Sequence, residues 1–458
     1  MRQPNPITPM TIRAPAVAGT FYPATPDALD RAVRAALAAA QVEPVTAKAI
    51  VAPHAGYIYS GPIAGTSFQS VAHLKDRIRR IVLIGPTHRM HFFGIAVPTA
   101  TGLATPLGTV AIDLAGVDLA LQDPDVRLID AAFDGEHALE VELPFIQVLF
   151  PRAAVVPLIV GDTSAEAVER VLATLWGGPE TLIVASSDLS HYHGYEAACS
   201  LDLRTSQAIE VIAPARVDAN GACGHRAIAG LLRRAHELDL RATTRDLRNS
   251  GDTHGPRDRV VGYGAYTFEE AETARLADAH RQMLVNAAYA TLRHIAAKGR
   301  PPEVNLLSFP PALRAQRATF VTIELGGQLR GCVGTVAPVA PLIADVVANT
   351  HKAALQDHRF NPMNAQEIAQ ATISVSILSR LRAQPFVSDA DLLDRMRPGV
   401  DGLLIRQADQ RALFLPKVWS DLPSPPDFLG RLKQKAGLPD APLAGTATAF
   451  RFTAETFA

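Results

Sequence analysis

Four runs constrain this chain most: "AKAIVAP" (47–53), "RIVLIG" (80–85), "AAVVPLIVG" (153–161) and "TLIVASS" (181–187). Each is short and apolar throughout, where a strand with one wet face would alternate. Such strands must be covered on both faces. The cover is encoded beside them, because "LDRAVRAALAAA" (29–40), "HALEVELPFIQVLF" (137–150), "SAEAVERVLATLW" (164–176) and "GHRAIAGLLRRAHEL" (224–238) carry apolar residues at helical spacing. Weaker strands are expected near 94–97 and 109–113, and "VVGYGAYTF" (260–268) reads as a closing strand. The pattern predicts an α/β domain over about 1–268.

At 458 residues the chain exceeds one ordinary core. The charged stretch "EEAETARLADAH" joins the first domain to a helix predicted over 274–299. Beyond that helix, hairpins and helices mix. "ATFVTIEL" and "LRGCVGTV" flank "GGQ", 341–357 is helical, 371–379 alternates as a strand, 402–416 reads as a hairpin, 426–437 as a helix and 447–454 as a last strand. This predicts an α+β domain over 272–458.

Composition narrows the function classes. With 48% hydrophobic and 19% charged residues the chain can pack full cores. A net charge of -1 and no long basic run exclude a general attraction to nucleic acid or an anionic membrane. No segment approaches the roughly 18 apolar residues of a membrane span, and "MRQPNPITPMTIRAPAVAG" lacks a secretory apolar core. A cytoplasmic protein is expected. Cys199, Cys223 and Cys332 are too few and scattered for a disulfide framework or a self-contained iron–sulfur site.

In an open α/β sheet, sites gather beyond the carboxyl ends of the strands. His54 follows "IVAP", His88 follows "IVLIGPT", Asp188 and His191 follow "LIVASS", and Cys223 opens the helix in "GACGHRAIAG". Singly, each histidine reads as an exposed or hydrogen-bonded loop residue, and Cys223 as a small buried hydrophobe. Together, His54, His88 and Cys223 supply two imidazoles and a thiolate, a set that suits iron, copper or zinc and leaves coordination positions open. The start of a helix would also favour the Cys223 thiolate. His91 and His193 read as lying behind the ligands or exposed. Glycines after His54, in "HAGYIYSGPIAG" (54–65), suggest a flexible loop that a substrate could approach closely.

His137 and Glu140 lie three apart on the helix read over 137–150, as a ligand pair or an acid–base pair. Glu136 and Glu142 read equally as first-turn carboxylates that complement the helix dipole. HExxH, GxxxxGK[ST], a Rossmann GxGxxG after a strand and GxSxG are all missing, which leaves standard zinc proteases, nucleotide enzymes and serine hydrolases unsupported. Cys332 reads either as a hairpin residue packed on the long first helix of its domain or as a cleft thiol with Arg330 as an anion-binding partner.

"APHAGYIYSG", "IGPTHRMHFFG", "EHALEVELPFIQ", "SSDLSHYHGY" and "ACGHRAI", in that order, resemble the MEMO family (AmmeMemoRadiSam system protein B) over about 12–268. "LRGCVGTV", "QDHRFNP", "DGLLIR", "FLPKVW" and "DFLGRLKQKAGL" are similar to the AMMECR domain (system protein A) over about 275–456. The resemblance implies a first domain related to class III extradiol dioxygenases. It implies metal ligands at His54, His88 and Cys223, where ring-cleaving enzymes carry a carboxylate in place of the cysteine. His191 becomes the acid–base residue behind the ligands, with Asp188 beside it, and His137 and Glu140 line the site. It also implies company with a radical SAM protein, whose CxxxCxxC motif this chain lacks.

The expectation is therefore a mononuclear non-haem metal protein doing dioxygenase-like oxidoreductase chemistry on an unknown small-molecule or peptide substrate. Fe(2+) comes first, copper competes and zinc ranks third. The competing expectation is a peptide- or protein-binding redox-signalling module on an enzyme fold. A zinc hydrolase using His137 and Glu140 is the third.

Overall fold

The computed structural model describes residues 11–238, 240–270, 275–443 and 445–458. The centre of the charged joint, 271–274, and the first ten residues lie outside that description. Two compact units succeed one another along the chain, dividing at 274/275.

In the first unit the four apolar runs become Ala49–Ala52, Arg80–Pro86, Ala154–Val160 and Thr181–Ser186, buried except at Arg80 and Ala154. They pair in parallel in the order 49–52, 181–186, 80–86, 154–160, at the heart of a nine-stranded sheet. Val260–Glu270 extends it antiparallel on one side, and Ile95–Val97 on the other. Ala52 pairs with Ser186, and Ile84 with Ala185. Three adjacent strands therefore end level with one another, and the residues just beyond their carboxyl ends are thrown together.

Helices Pro26–Ala39, Ala165–Leu175 and His225–Glu237 form where helical spacing predicted them. Two readings are corrected, and two elements are added. Residues 137–150 are not one helix: a 3-10 turn, Glu140–Glu142, precedes a helix Leu143–Leu149 that Pro144 starts. The stretch after His54 is not a flexible loop. It is the helix Tyr57–Gln69, despite Gly61, Pro62 and Gly65. Its glycine at 65 serves packing rather than substrate, since a Cβ there would sit 2.4 Å from the Ala36 carbonyl oxygen of the neighbouring helix. Burial of nine of its residues overrides a poor helix propensity. The helix Tyr195–Glu210 and the strand Leu240–Asn249 were not read at all. "LRATTRDLRN" looks too polar for a strand, yet it pairs antiparallel with Val260–Glu270 from Leu240↔Glu270 to Asn249↔Gly262.

The second unit is α+β. One antiparallel sheet orders Gln328–Gly334, Thr319–Leu325, Thr372–Leu378 and Ala454–Phe457; the other orders Arg382–Ala383, Thr448–Phe452, Gly402–Gln407 and Gln410–Phe414. The helices Asp278–Lys298 and Leu342–Leu355 share a core with the first sheet. Pro425–Ala436 covers the second, its Phe428 stacked on Trp419 at 3.9 Å. Among the described residues no helix is long and apolar enough to cross a membrane.

Candidate metal centre

His54 is 1% exposed, two residues beyond its strand, where Asp188 from the next strand end fixes it: His54 N donates to Asp188 Oδ1 at 2.8 Å. Its Nδ1 lies 2.8 Å from Ser186 Oγ, and its Nε2 faces Cys223 Sγ at 3.3 Å. Proton accounting settles the tautomer. Ser186 Oγ lies 2.6 Å from the Ala138 carbonyl oxygen and 2.9 Å from Glu142 Oε1. A hydroxyl has one proton and two lone pairs. Its proton goes to an acceptor, the Ala138 carbonyl or Glu142, so between His54 and Ser186 it is His54 Nδ1–H that donates. His54 Nε2 is thereby left with a bare lone pair aimed at Cys223. Burial pushes the Glu142 carboxyl well above the usual carboxylate range, while its hydrogen bond to Ser186 acts to lower it.

His88 is oriented in the same way by a different group. Its Nδ1 lies 2.9 Å from Glu136 Oε1, and Glu136 Oε2 accepts from the His88 backbone at 2.5 Å. Glu136 Oε1 also accepts from the backbone of His137 and Ala138, each at 2.9 Å. Burial acts to raise the Glu136 carboxyl, but these bonds, those from His88 foremost, outweigh it and hold it ionised below its usual range. A carboxylate on Nδ1–H is the usual outer partner of a metal-binding imidazole.

Cys223 precedes the helix His225–Glu237, with its N–H on the Asp188 carbonyl. Here the expected dipole effect loses. The sulfur is set among protein atoms, and burial, with the Asp188 carboxyl adding, pushes the thiol up to about 12. The bare thiol keeps its proton, with His54 Nε2 at 3.3 Å and the Asp188 carbonyl at 3.6 Å as its acceptors.

His54, His88 and Cys223 bring their donor atoms within 4.8 Å of one another. His137 joins them, its ring 4.5 Å from His88 and 5.4 Å from His54. Burial, then the neighbouring His88, lowers it to about 4, and its Nδ1 is buried without a hydrogen-bond partner. His191 donates Nδ1–H to the Leu189 carbonyl at 2.8 Å, leaving Nε2 bare, and burial lowers its pKa as well. The next residue, Tyr192, takes a left-handed φ of 61°, which turns its own ring out to solvent under Arg259. Burial raises Asp188 to about 7. A cavity of about 370 Å³ opens beside His88 and Cys223, rimmed by Arg89, Asp162 and Arg226.

Glu140 is not brought to this cluster. Its carboxylate accepts from Ala16 N, Val17 N and the Tyr22 hydroxyl at 2.7, 2.9 and 2.6 Å, tying down the N-terminal segment. Without a continuous helix from 137, it and His137 do not share a face. Sequence reasoning passed over Ser186 and took Glu136 and Glu142 for helix-start carboxylates. The only signal was position, at a strand end or next to a candidate ligand. In the second unit Arg330 is not free for an anion either. Glu367 grips it from two oxygens, at 2.8 and 3.1 Å.

The donor set fits a metal. A buried imidazole, His54, and an exposed one, His88, each with Nδ1 anchored, converge with a thiol on one point. Residues 13–267 match the family described as Memo-like protein. The chain belongs to the MEMO family. Residues 285–457 match AMMECR1, so a MEMO domain is fused to an AMMECR domain. A MEMO1 family protein of Archaeoglobus fulgidus is 35% identical over 274 residues, covering 56% of this chain and 99% of its own length. One from Methanosarcina acetivorans is 33% identical, covering 57% and 100%. An uncharacterised protein of Pyrococcus horikoshii of known crystal structure is 26% identical, covering 40% of this chain and 92% of its own, with a TM-score of 0.38.

Proposed function

We propose that the MEMO domain is a mononuclear non-haem iron(II) site that oxidises a small-molecule or peptide-borne substrate, in the cytoplasm and alongside a radical SAM protein. The observation that carries this is the convergence of His54, His88 and Cys223, with His54 and His88 each turned by an anchored Nδ1. Iron bound there would supply open coordination positions and redox capacity. The remaining work falls to the chain. Ser186 and Glu136 hold the imidazoles in their ligating tautomer. Cys223 must shed its proton to ligate. His137 and His191, whose pKa values burial lowers, are the acid–base candidates beside the ligand cluster, for a substrate that reaches past the cavity to them. The rim guanidiniums, Arg89 and Arg226, favour an electron-rich substrate, although Asp162 already engages Arg226 at 2.6 Å.

The test is metal content of protein purified anaerobically, without a histidine tag. Parent protein should carry near-stoichiometric iron, and His54→Ala or Cys223→Ser should lose most of it. Stoichiometric copper would replace iron in the proposal. Parent protein left metal-free by metal-replete cells would favour the binding-module reading, and stoichiometric zinc with oxygen-independent activity the hydrolytic one.

A further inference from the structure

The second unit holds chemistry that the metal centre does not use. Cys332 lies in the strand Gln328–Gly334, paired across the ladder with Thr322. Its neighbour Gly331 packs on the helix Leu342–Leu355, so closely that a Cβ would sit 2.2 Å from the Ala353 carbonyl oxygen. Alternation therefore turns Cys332 to the face away from that helix. There Thr322 Oγ1 donates to Cys332 Sγ at 3.4 Å and accepts from Lys417 Nζ at 3.2 Å. The hydroxyl thus links the sulfur to an ammonium.

Further cations surround the thiol. Arg359 Nη2 bonds the Cys332 carbonyl at 3.1 Å, and the Lys435 ammonium, on the Leu413 carbonyl at 3.1 Å, acts electrostatically on both Cys332 and Arg359. Asp357 neutralises Arg359. Lys417 and Lys435 have no such partner: among the described residues neither pairs with a carboxylate, and their hydrogen bonds go to Thr322 and Leu413. This face thus sets a polarised thiol beside two uncompensated positive charges. The anion-binding part read for Arg330 passes to the lysines, because Glu367 occupies Arg330.

We infer that Cys332, Thr322, Lys417 and Lys435 form a second site, a nucleophilic thiol that captures a small anionic electrophile bearing a carboxylate or a phosphate. The lysines hold the charge while sulfur attacks the electrophilic carbon. A C–S bond forms, the leaving group departs with its bonding pair, and the thiol proton passes to solvent. No oxidant or reductant is needed.

The full chain is alkylated in parallel with iodoacetate and iodoacetamide, and the rate at each cysteine-containing peptide is followed by mass spectrometry. Iodoacetate carries the charge and iodoacetamide does not, so their rate ratio at Cys332 reads the local field. The ratio should be about fivefold or more higher in the folded chain than in the same chain unfolded in urea, the weight of one neighbouring unit charge. Lys417→Met should lower it, Lys417→Arg should keep it, and Thr322→Val should slow both reagents. Excess phosphate or acetate should slow carboxymethylation, the stronger competitor naming the preferred group. A ratio no higher folded than unfolded overturns the site. So does an unreactive Cys332, protection by neither anion, or a ratio unmoved in a folded Lys417→Met variant. If that variant fails to fold, the parent's folded-to-unfolded comparison decides.

Discussion

Glu136 shows what the neighbour of a proposed ligand contributes. His88 can coordinate only with its Nε2 bare and correctly aimed, and both depend on the carboxylate at its Nδ1 and backbone. Glu136→Gln keeps the size but sets an amide against donors that need an acceptor. We predict that it lowers iron affinity about 10–100-fold while the fold persists, measured by competition with a chelator. At this scale the candidate ligands were legible in the sequence and the groups that orient them were not. His54, His88 and Cys223 stand out as chemically unusual residues at strand or helix ends. Glu136 and Ser186 are ordinary residues made special by what lies against them, and Glu140 is the converse, a suggestive residue spent on Ala16, Val17 and Tyr22.

Among the elements, those with a single strong period were legible. Ala165–Leu175, with its apolar stripe at Val168, Val171, Leu172 and Leu175, is one. Tyr57–Gln69 was not, because Gly56, Gly61, Pro62 and Gly65 are what a loop looks like. It is a helix because it is buried between the sheet and Pro26–Ala39, and Gly65 permits the close approach. Gly65→Ala supplies a better helix former yet pushes a methyl into Ala36, so the two effects oppose. Overlap with backbone cannot be relieved by a rotamer change, and packing wins. We predict a net loss of about 1–3 kcal/mol, seen as a lower urea midpoint with an unchanged slope. Unchanged stability would show that the two helices can separate at little cost.

For the whole molecule, a metal bound at the proposed site would be part of stability. A group that binds only the folded chain stabilises it by mass action. Iron at about 100 times its dissociation constant should add about 2.7 kcal/mol. Chelation should accordingly lower the thermal midpoint of the MEMO domain in the parent and leave Cys223→Ser nearly unmoved, as differential scanning calorimetry would show. The amino-acid sequence by itself determined the alternation of buried strands and helices, hence the parallel sheet, and the placing of polar residues at strand ends, hence where a site must lie. Both are local patterns, repeated every two or 3.6 residues. Only the tertiary structure decided the protonation of the site. Cys223 keeps its proton despite its helix, Glu142 is pushed above the usual carboxylate range, and His54 exposes Nε2, because these states answer to burial and to partners such as His54 and Cys223, which lie 169 residues apart along the chain. No local period encodes a distance of 3.3 Å between them.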